Sequence, residues 1–218
     1  MKKENKLLIF GLFAGVLCGQ CRPAASQKEP RLPAVVQAKA DPCDDPDASV
    51  ECCFTNMPAQ VTERMMITDP NEPGKRIVIT GTIFQADGRT PYPDVVMYAY
   101  HTDQTGHYAK KGNETGFQKW HGHLHGWCRT DWKGNYEIHS IRPARYPGNT
   151  IVAHIHAALK EPDGRKPYYI NDFVFADDDL VTQEYLSALS NPGGQGVVDL
   201  QKSPEGVWMG RRNIVVKK

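Results

Sequence analysis

A short strand-like run near the middle of the chain constrains this protein more than any other feature. Residues 151–159 read I-V-A-H-I-H-A-A-L, so β-branched and small residues surround two histidines. Strand side chains alternate between two faces, which places His154 and His156 on the same face. Two neutral imidazoles side by side can bind one metal ion. The alternative is a pair of partly buried strand histidines bonded to backbone, because H-x-H alone is a weak signal.

Tyrosine motifs precede this run. Tyr146 lies in the proline-bracketed segment R-P-A-R-Y-P-G, which could hold a phenol near the two histidines. A T-D-x-x-G-x-Y motif ends at Tyr136, and a related D-x-x-G-x-Y motif ends at Tyr108. Local spacing does not say which of Tyr108 and Tyr136 binds a metal, and a packed or surface position is the commoner fate of either.

Taken in order, these motifs resemble those of the intradiol ring-cleavage dioxygenases, the catechol and protocatechuate class. Three sequence motifs of that family occur here in order between Thr130 and His156: T-D-x-x-G-x-Y, I-x-P-x-x-Y-P and H-I-H. An upstream aromatic-x-x-D-x-x-G-x-Y segment runs from Tyr100 to Tyr108, and the resemblance spans roughly residues 75–176. It implies an all-β fold, an antiparallel β-sandwich with one short helix near the C-terminal part. The iron ligands that it implies are Tyr108, Tyr146, His154 and His156.

The implied ligand set suits iron(III). A ferric ion is a hard acid and a phenolate is a hard anionic donor; a bound cation lowers the tyrosine pKa from its usual ~10. Two histidines with one carboxylate would suit ferrous oxygenases, and closed thiolate or imidazole sets suit structural zinc. The resemblance implies an enzyme that cleaves a catechol-type ring between its hydroxylated carbons with O2, giving a muconate-type diacid. Tyr146, in preference to Tyr108, is the tyrosine expected to leave the metal when substrate binds.

Two positions depart from the family pattern. The arginine usually found three residues before the first histidine is Ile151 here, and a glutamine position after the histidines is Asp172. The arginine favours the carbanion-like form of the bound substrate, so its replacement bears on turnover and substrate pose. Arg142 or Arg145, in the preceding turn, could supply the charge, although both are more often solvated surface residues.

A histidine-rich segment, W-H-G-H-L-H-G-W, occupies residues 120–127. Its three alternating histidines could share a face and bind a second metal, but the favoured interpretation places them at the mouth of the pocket or on its surface. The flanking tryptophans could stack on a flat ring or pack against the sandwich. The predicted pocket residues are His125, Trp127, Trp120, Ile151, Asp172 and Arg145.

The N-terminal residues indicate export. Residues 1–21 combine a basic start with an apolar run shorter than the ~20 residues that span a bilayer, as in a signal peptide or lipoprotein leader. Cys18 and Cys21 leave a lipid anchor open as an alternative. Residues 22–49 are predicted to form a flexible linker, and residues 50–218 a single β-sandwich domain. We expect a periplasmic, cell-envelope or extracellular location.

The cysteines indicate possible disulfides, and the net charge limits the kinds of partner. The four cysteines beyond the leader could form disulfides in an exported protein, Cys43 with Cys52 or Cys53, since adjacent Cys52 and Cys53 cannot easily pair with each other. The partner of Cys128 is left open. With 26 Lys and Arg against 25 Asp and Glu, nothing argues for nucleic acid or an anionic membrane as a partner.

Alternating short runs predict strands over residues 76–84, 94–100, 136–138, 151–159, 172–175, 197–200, 207–209 and 214–216, and helical spacing covers 180–190. Two other functions stay open: an exported β-sandwich binding module without iron, and a zinc- or copper-binding envelope protein that uses the histidine-rich segment. The expected partners are a catechol-like small molecule and O2. The sequence leaves the particular catechol and the oligomeric state open, with a dimer as one option.

Overall fold

The computed structural model describes residues 41–217. The predicted leader, with Cys18 and Cys21, and residues 22–40 of the predicted linker lie outside the described residues. Within the described part, no helix has both the length and the apolar character needed to cross a membrane.

The described chain consists mainly of short strands. In chain order they are β1 (Arg64–Met66), β2 (Arg76–Phe84), β3 (Val96–His101), β4 (His125–Arg129), β5 (Asn135–Ile141), β6 (His154–Lys160), β7 (Tyr168–Tyr169), β8 (Phe173–Phe175), β9 (Val197–Val198), β10 (Gln201–Lys202), β11 (Trp208–Arg211) and β12 (Ile214–Val215). Two short α-helices are α1 (Gln118–His121) and α2 (Gln183–Ser187). Two 3-10 turns, Pro42–Asp44 and Val50–Phe54, precede β1.

The strands form two six-stranded sheets. The first has the order β1-β5-β2-β11-β10, with β12 also pairing β2, and the second has the order β4-β3-β6-β8-β9, with β7 also pairing β6. The predicted β-sandwich is confirmed, and its longest pairings, β2 with β5 and β3 with β6, are antiparallel. Four pairings that involve shorter strands are parallel: β1 with β5, β11 with β2, β12 with β2, and β8 with β9.

The core lies between the sheets because the inward residues of facing strands are apolar. Ile77 and Ile79 of β2 and Ile155 and Leu159 of β6 belong to one buried cluster and are at most 1% exposed. Since Ile155 faces this core, the neighbouring His154 and His156 lie on the outer face of the second sheet.

The N-terminal residues of the described chain cover that outer face. Cys43 and Cys52 form a disulfide, and with Cys53 they pack in a second buried cluster against the outer residues of β3. This disulfide, one of the two pairings predicted for Cys43, anchors residues 43–49, at the C-terminal end of the predicted linker, to the domain. Cys53 and Cys128 are buried free thiols.

Some predicted boundaries shift. The strand predicted over 151–159 begins only at His154, because the Ala153 N–H donates to the Asp178 carboxylate and Ile151 is exposed. The helix predicted over 180–190 is confirmed but shorter; it begins after Thr182, whose hydroxyl accepts from the Tyr185 N–H. Helix α1 and strands β1, β4, β7 and β10 were not predicted.

Replacing Ile155 with alanine should destabilise the domain without removing a polar group from the outer face. The Ile155 side chain is fully buried, so its truncation leaves a cavity and should lower the free energy of unfolding by about 2–5 kcal/mol. Denaturant unfolding measures this change. The control is Trp132→Ala, because Trp132 is 78% exposed and its removal should change stability by less than about 0.5 kcal/mol. Equal effects of both substitutions would contradict this assignment of the core.

Candidate metal centre

Strand β6 presents two imidazole nitrogens side by side on the outer face. The Nε2 atoms of His154 and His156 are 3.0 Å apart. His154 donates from Nδ1 to the Val152 carbonyl at 2.7 Å, and His156 donates from Nδ1 to the Asp172 carboxylate at 3.0 Å. With Nδ1 protonated in each ring, both Nε2 lone pairs are free to bind a cation, and the outer bonds fix the ring orientations.

Two phenols complete the cluster. The hydroxyl oxygens of Tyr108 and Tyr146 are 2.5 Å apart, and the Tyr108 oxygen is 3.0 Å from His156 Nε2. The Tyr146 oxygen is 3.3 Å from His154 Nε2 and 3.5 Å from His156 Nε2. Donor atoms on a single ion at about 2.0–2.2 Å are themselves on the order of 3 Å apart. The structure therefore brings together the four residues predicted as ligands, and their donor atoms fit one metal ion.

The loop before β6 is fixed by Asp178, which the sequence analysis did not single out as a site residue. Its buried carboxylate accepts from the Ala153 N–H at 2.8 Å and the Leu180 N–H at 3.0 Å, and forms an ion pair with Arg145. Ala153 immediately precedes His154, and Arg145 immediately precedes Tyr146. One carboxylate therefore ties the positions of two of the four donors to each other.

The turn that carries Tyr108 explains the D-x-x-G-x-Y motif. The Asp103 carboxylate accepts from the backbone N–H of Thr105 and of His107, and Gly106 has a φ of +83°. A Cβ on Gly106 would lie 2.0 Å from the Arg145 carbonyl oxygen, so only glycine lets this turn touch the Tyr146 loop. The motif thus brings the Tyr108 turn against the loop that carries the second phenol.

The second copy of the motif forms a similar turn but leads elsewhere. Asp131 accepts from the N–H groups of Lys133 and Asn135, as Asp103 does in the first copy. Tyr136 then enters β5, is 2% exposed, and donates its hydroxyl proton to the Arg212 carbonyl at 2.6 Å. Tyr136 is a core residue, as the family order had indicated, and only Tyr108 faces the other donors.

Burial sets the electrostatics of the cluster. Desolvation, followed by the hydrogen bond with Tyr146, raises the pKa of Tyr108 well above its ordinary value. Desolvation, followed by the neighbouring His156, lowers the pKa of His154, so this ring stays neutral. A neutral imidazole is the form that binds metals, and a buried phenolate requires a nearby cation to offset its charge.

Asp172 lies beside this centre as a supporting residue. It is the only carboxylate that groups with His154 and His156 within residues 41–217, and no other set of three histidine, cysteine or acidic residues comes close enough there to hold an ion. Its carboxylate is bonded to Nδ1 of His156, on the side of the ring away from the phenols. Asp172 thus orients His156, a predicted ligand, and increases the basicity of its ring.

The histidine-rich segment does not form the second metal site that was considered for it. His121 ends α1 and contacts Tyr98, His123 bonds to the Ala109 carbonyl and to Glu72, and only His125 lies in β4. The three rings diverge because the segment turns from a helix into a strand. The zinc- or copper-binding alternative, which required this cluster, therefore loses its site.

Several predicted pocket residues lie elsewhere. Trp120 is 44% exposed and donates to the Asp44 carbonyl, whereas Trp127 donates to the Cys53 carbonyl. His125 donates to the Gly122 carbonyl and lies beside Trp127 in a different depression. These three residues pack the domain and do not line the cleft beside the cluster.

The arginine positions also differ from the prediction. Arg145 is paired with Asp178 and Asp179, and Arg142 forms two hydrogen bonds of 2.7 Å with Asp177. Neither guanidinium is free to replace the charge that the family places at Ile151. Ile151 itself is 47% exposed and lies in the loop before β6.

A cleft of about 440 Å³ opens directly beside His156. Among its lining residues, His156 and Asp172 are predicted site residues, and His121 belongs to the segment that the sequence analysis placed at the mouth of the pocket or on its surface. The lining residues come from six separate segments of the chain, and those outside the recognised motifs carry no local signal that marks them as pocket residues. The lining includes Pro46, Tyr100, His121, Tyr169, Asp172 and Asn191.

Comparison with known proteins places the chain in a family. A family model described as dioxygenase matches residues 52–193, which include all four donors. A search of curated proteins finds no match. The chain belongs to the intradiol ring-cleavage dioxygenase family, a family of ring-cleaving enzymes. This membership does not favour the alternative of a binding module without enzymatic activity.

Solved structures agree on the fold. The dioxygenase domain of a dioxygenase carbohydrate-binding protein fusion from Streptomyces sp. SirexAA-E is 21% identical, with a TM-score of 0.53 over 74% of this chain and 92% of that chain. Catechol 1,2-dioxygenase from Acinetobacter sp. ADP1 is 21% identical, with a TM-score of 0.53 over 73% and 59%. An intradiol ring-cleavage dioxygenase from Tetranychus urticae is 15% identical, with a TM-score of 0.52 over 74% and 89%.

Replacing Asp178 with asparagine should weaken both the fold and the metal centre. The asparagine oxygen can still accept from the Ala153 N–H, but the side chain carries no charge to pair with Arg145. The free energy of unfolding should therefore fall by about 1–3 kcal/mol. Metal affinity should fall in parallel, because the loop of Tyr146 loses its tie to His154. Denaturant unfolding and metal titration measure the two effects.

The matched control is Asp179→Asn. Asp179 pairs with the same Arg145, but its side chain is 83% exposed and its ion pair is screened by water. We expect little change in either measurement. If the Asp179 variant lost as much metal affinity as the Asp178 variant, the proposed role of the buried carboxylate would be wrong.

Proposed function

We propose that this protein is a non-haem iron(III) intradiol dioxygenase that cleaves a catechol-type ring between its two hydroxylated carbons, with O2, to a muconate-type diacid. The observation that carries the proposal is the convergence of the Tyr108, Tyr146, His154 and His156 donor atoms at 2.5–3.5 Å from their neighbours in the cluster. Two phenolates and two neutral imidazoles offset much of a ferric charge. That donor set favours iron(III) over the ions that prefer thiolate or all-oxygen ligands.

Iron bound here would supply Lewis acidity, drawing electron density from a catecholate so that its ring becomes reactive towards O2. The protein residues hold and orient the participants. His154 and His156 are fixed through their Nδ1 bonds, so their Nε2 atoms stay in register. The open cleft beside His156 gives a flat ring access to the cluster.

Tyr146 is the phenol that we assign to proton transfer. A catechol must lose its hydroxyl protons to bind as a dianion, and a phenolate within hydrogen-bond distance can accept one of them. Tyr146 lies in the loop between β5 and β6, where residues 147–151 are exposed, so this side chain has room to move aside.

We also propose that the protein acts outside the reducing cytosol. The Cys43–Cys52 disulfide supports this proposal, because structural disulfides persist mainly in oxidising compartments. The leader predicted from residues 1–21 agrees with it. A test is the location and mass of the processed protein in cells, and a reduced protein with an intact N-terminus in the cytosol would contradict export.

Tyr108→Phe and Tyr136→Phe form a matched pair that tests the iron assignment. The protein loaded with ferric iron should show a visible tyrosinate-to-iron absorption band that shifts on addition of catechol. Tyr108→Phe should weaken and shift this band and reduce ring cleavage by a factor on the order of 100 or more, because one anionic ligand is lost. O2 uptake and the ultraviolet spectrum of the product measure cleavage.

Tyr136→Phe should retain the band and the activity. Tyr136 ends the same motif but donates to a backbone carbonyl in the core, so its loss should cost only about 1–3 kcal/mol of stability. A colourless wild-type protein that stays inert after iron loading would sink the proposed function. Retention of the full band in a Tyr108, Tyr146 double phenylalanine variant would do the same.

A further inference from the structure

His121 stands at the wall of the cleft in a fixed orientation. Its ring stacks on Tyr100, with centroids 3.6 Å apart and planes 8° from parallel, and Tyr100 stacks in turn on His156 at 4.6 Å. The cleft is lined by all three of these residues. The stack places the His121 ring beside the metal cluster and one ring further from it than Tyr100.

The contact with Tyr98 fixes which nitrogen of His121 carries a proton. The Tyr98 oxygen lies 2.9 Å from His121 Nδ1, and the Tyr98 side chain is fully buried. A buried hydroxyl must donate to some acceptor, and Nδ1 is the acceptor within reach. Nδ1 is therefore unprotonated in the neutral ring, so that Nε2 carries the hydrogen. Burial lowers the His121 pKa to about 3, which keeps the ring neutral near pH 7.

The disulfide-closed loop holds His121 in this place. Asp44, within the loop closed by Cys43 and Cys52, accepts from the Gly116 N–H at 2.9 Å and from the Lys119 ammonium at 2.6 Å. These bonds hold Gly116, two residues before α1, and Lys119 within α1. A ring with a fixed tautomer on a clamped turn is a preorganised hydrogen-bond donor.

The charged residues around the cleft limit which substrate substituents the His121 N–H can contact. The lining includes the Asp172 carboxylate and contains no lysine or arginine. Arg212, a buried cation near this wall, donates to the carbonyls of Asn171 and Gly193 and stacks on Phe173 without lining the cleft. A carboxylated ring would meet the like charge of Asp172, and the lining offers no lysine or arginine to pair with its carboxylate. The cleft volume of about 440 Å³ falls in the range that accommodates substituents beyond a single ring.

We propose that His121 is a specificity-determining residue whose Nε2–H donates to an uncharged oxygen substituent on the substrate ring, such as a methoxyl, hydroxyl or carbonyl group. The enzyme then takes catechols that carry such an oxygen in preference to carboxylated catechols and to apolar analogues of equal size. This proposal rests on the proposed function, because the ring must bind at the metal cluster for its substituent to reach His121.

Two substrates of nearly equal size isolate the hydrogen bond. 4-Methoxycatechol and 4-ethylcatechol differ at the substituent only by an ether oxygen in place of a methylene group. With the iron-loaded wild-type protein we expect a higher kcat/KM for the methoxy compound, and a lower value for protocatechuate than for either. His121→Phe keeps a flat ring for stacking but removes the N–H. It should lower the methoxy-to-ethyl ratio of kcat/KM about threefold to tenfold, towards unity.

Two further variants keep the test decisive. Tyr98→Phe removes the hydroxyl that fixes the tautomer, so it should lower the same ratio by a smaller factor. His139→Phe, on the first sheet and remote from the cleft, should leave the ratio unchanged. Anaerobic titration, followed through the visible absorption band, should show the same order in the dissociation constants.

The outcomes separate the two proposals. If the wild-type protein cleaves catechols but His121→Phe lowers both substituted substrates equally, His121 has only a structural role and this inference is overturned. A wild-type preference for protocatechuate overturns it as well. If no catechol binds to the iron-loaded protein at all, the proposed function fails, and the inference fails with it.

Discussion

The buried carboxylate of Asp178 is the interaction on which the metal centre depends. Two of the four donors, Tyr146 and His154, lie on a loop and on the strand that follows it, and nothing in the strand pairing fixes their separation. Asp178 fixes it by binding Arg145 beside the one and the Ala153 N–H beside the other. A buried charge is stable only when such partners surround it, so the loop can adopt few other conformations without exposing or orphaning that carboxylate.

The centre lies on the outer face of a sheet, and this location imposes a second requirement. Residues between the sheets are shielded by the sandwich itself, whereas an outer face needs its own cover. The loop closed by Cys43 and Cys52 supplies that cover, since these cysteines pack with Tyr98 and Phe117 in a cluster separate from the main core. The same loop holds α1 through Asp44. The loop closed by Cys43 and Cys52 therefore both shields the cluster and positions the wall of the cleft.

The sequence predicted what depends on local spacing. Alternation placed His154 and His156 on one face, and the bounds of β2 agree with the predicted strand, because both follow from short-range periodicity. Prediction from the sequence was wrong where the environment of a residue depends on a partner far along the chain. Arg145, a candidate for the missing charge, is neutralised by Asp178 and Asp179, which lie 33 and 34 residues further along the chain. The composition of residues 43–49 indicates a linker, although the Cys43–Cys52 pairing that anchors them was among the pairings the sequence offered.

The two departures from the family pattern form one change in the balance of charge. A cation expected three residues before His154 is replaced by the exposed Ile151, and an amide position becomes the carboxylate of Asp172. Both changes make the surroundings of the bound ring more negative. Asp172 compensates at the metal, where its bond to His156 strengthens a ligand, but it cannot stabilise negative charge on the substrate. In the proposed enzyme, substrate recognition then falls to neutral donors and stacked rings, and His121 on Tyr100 offers both.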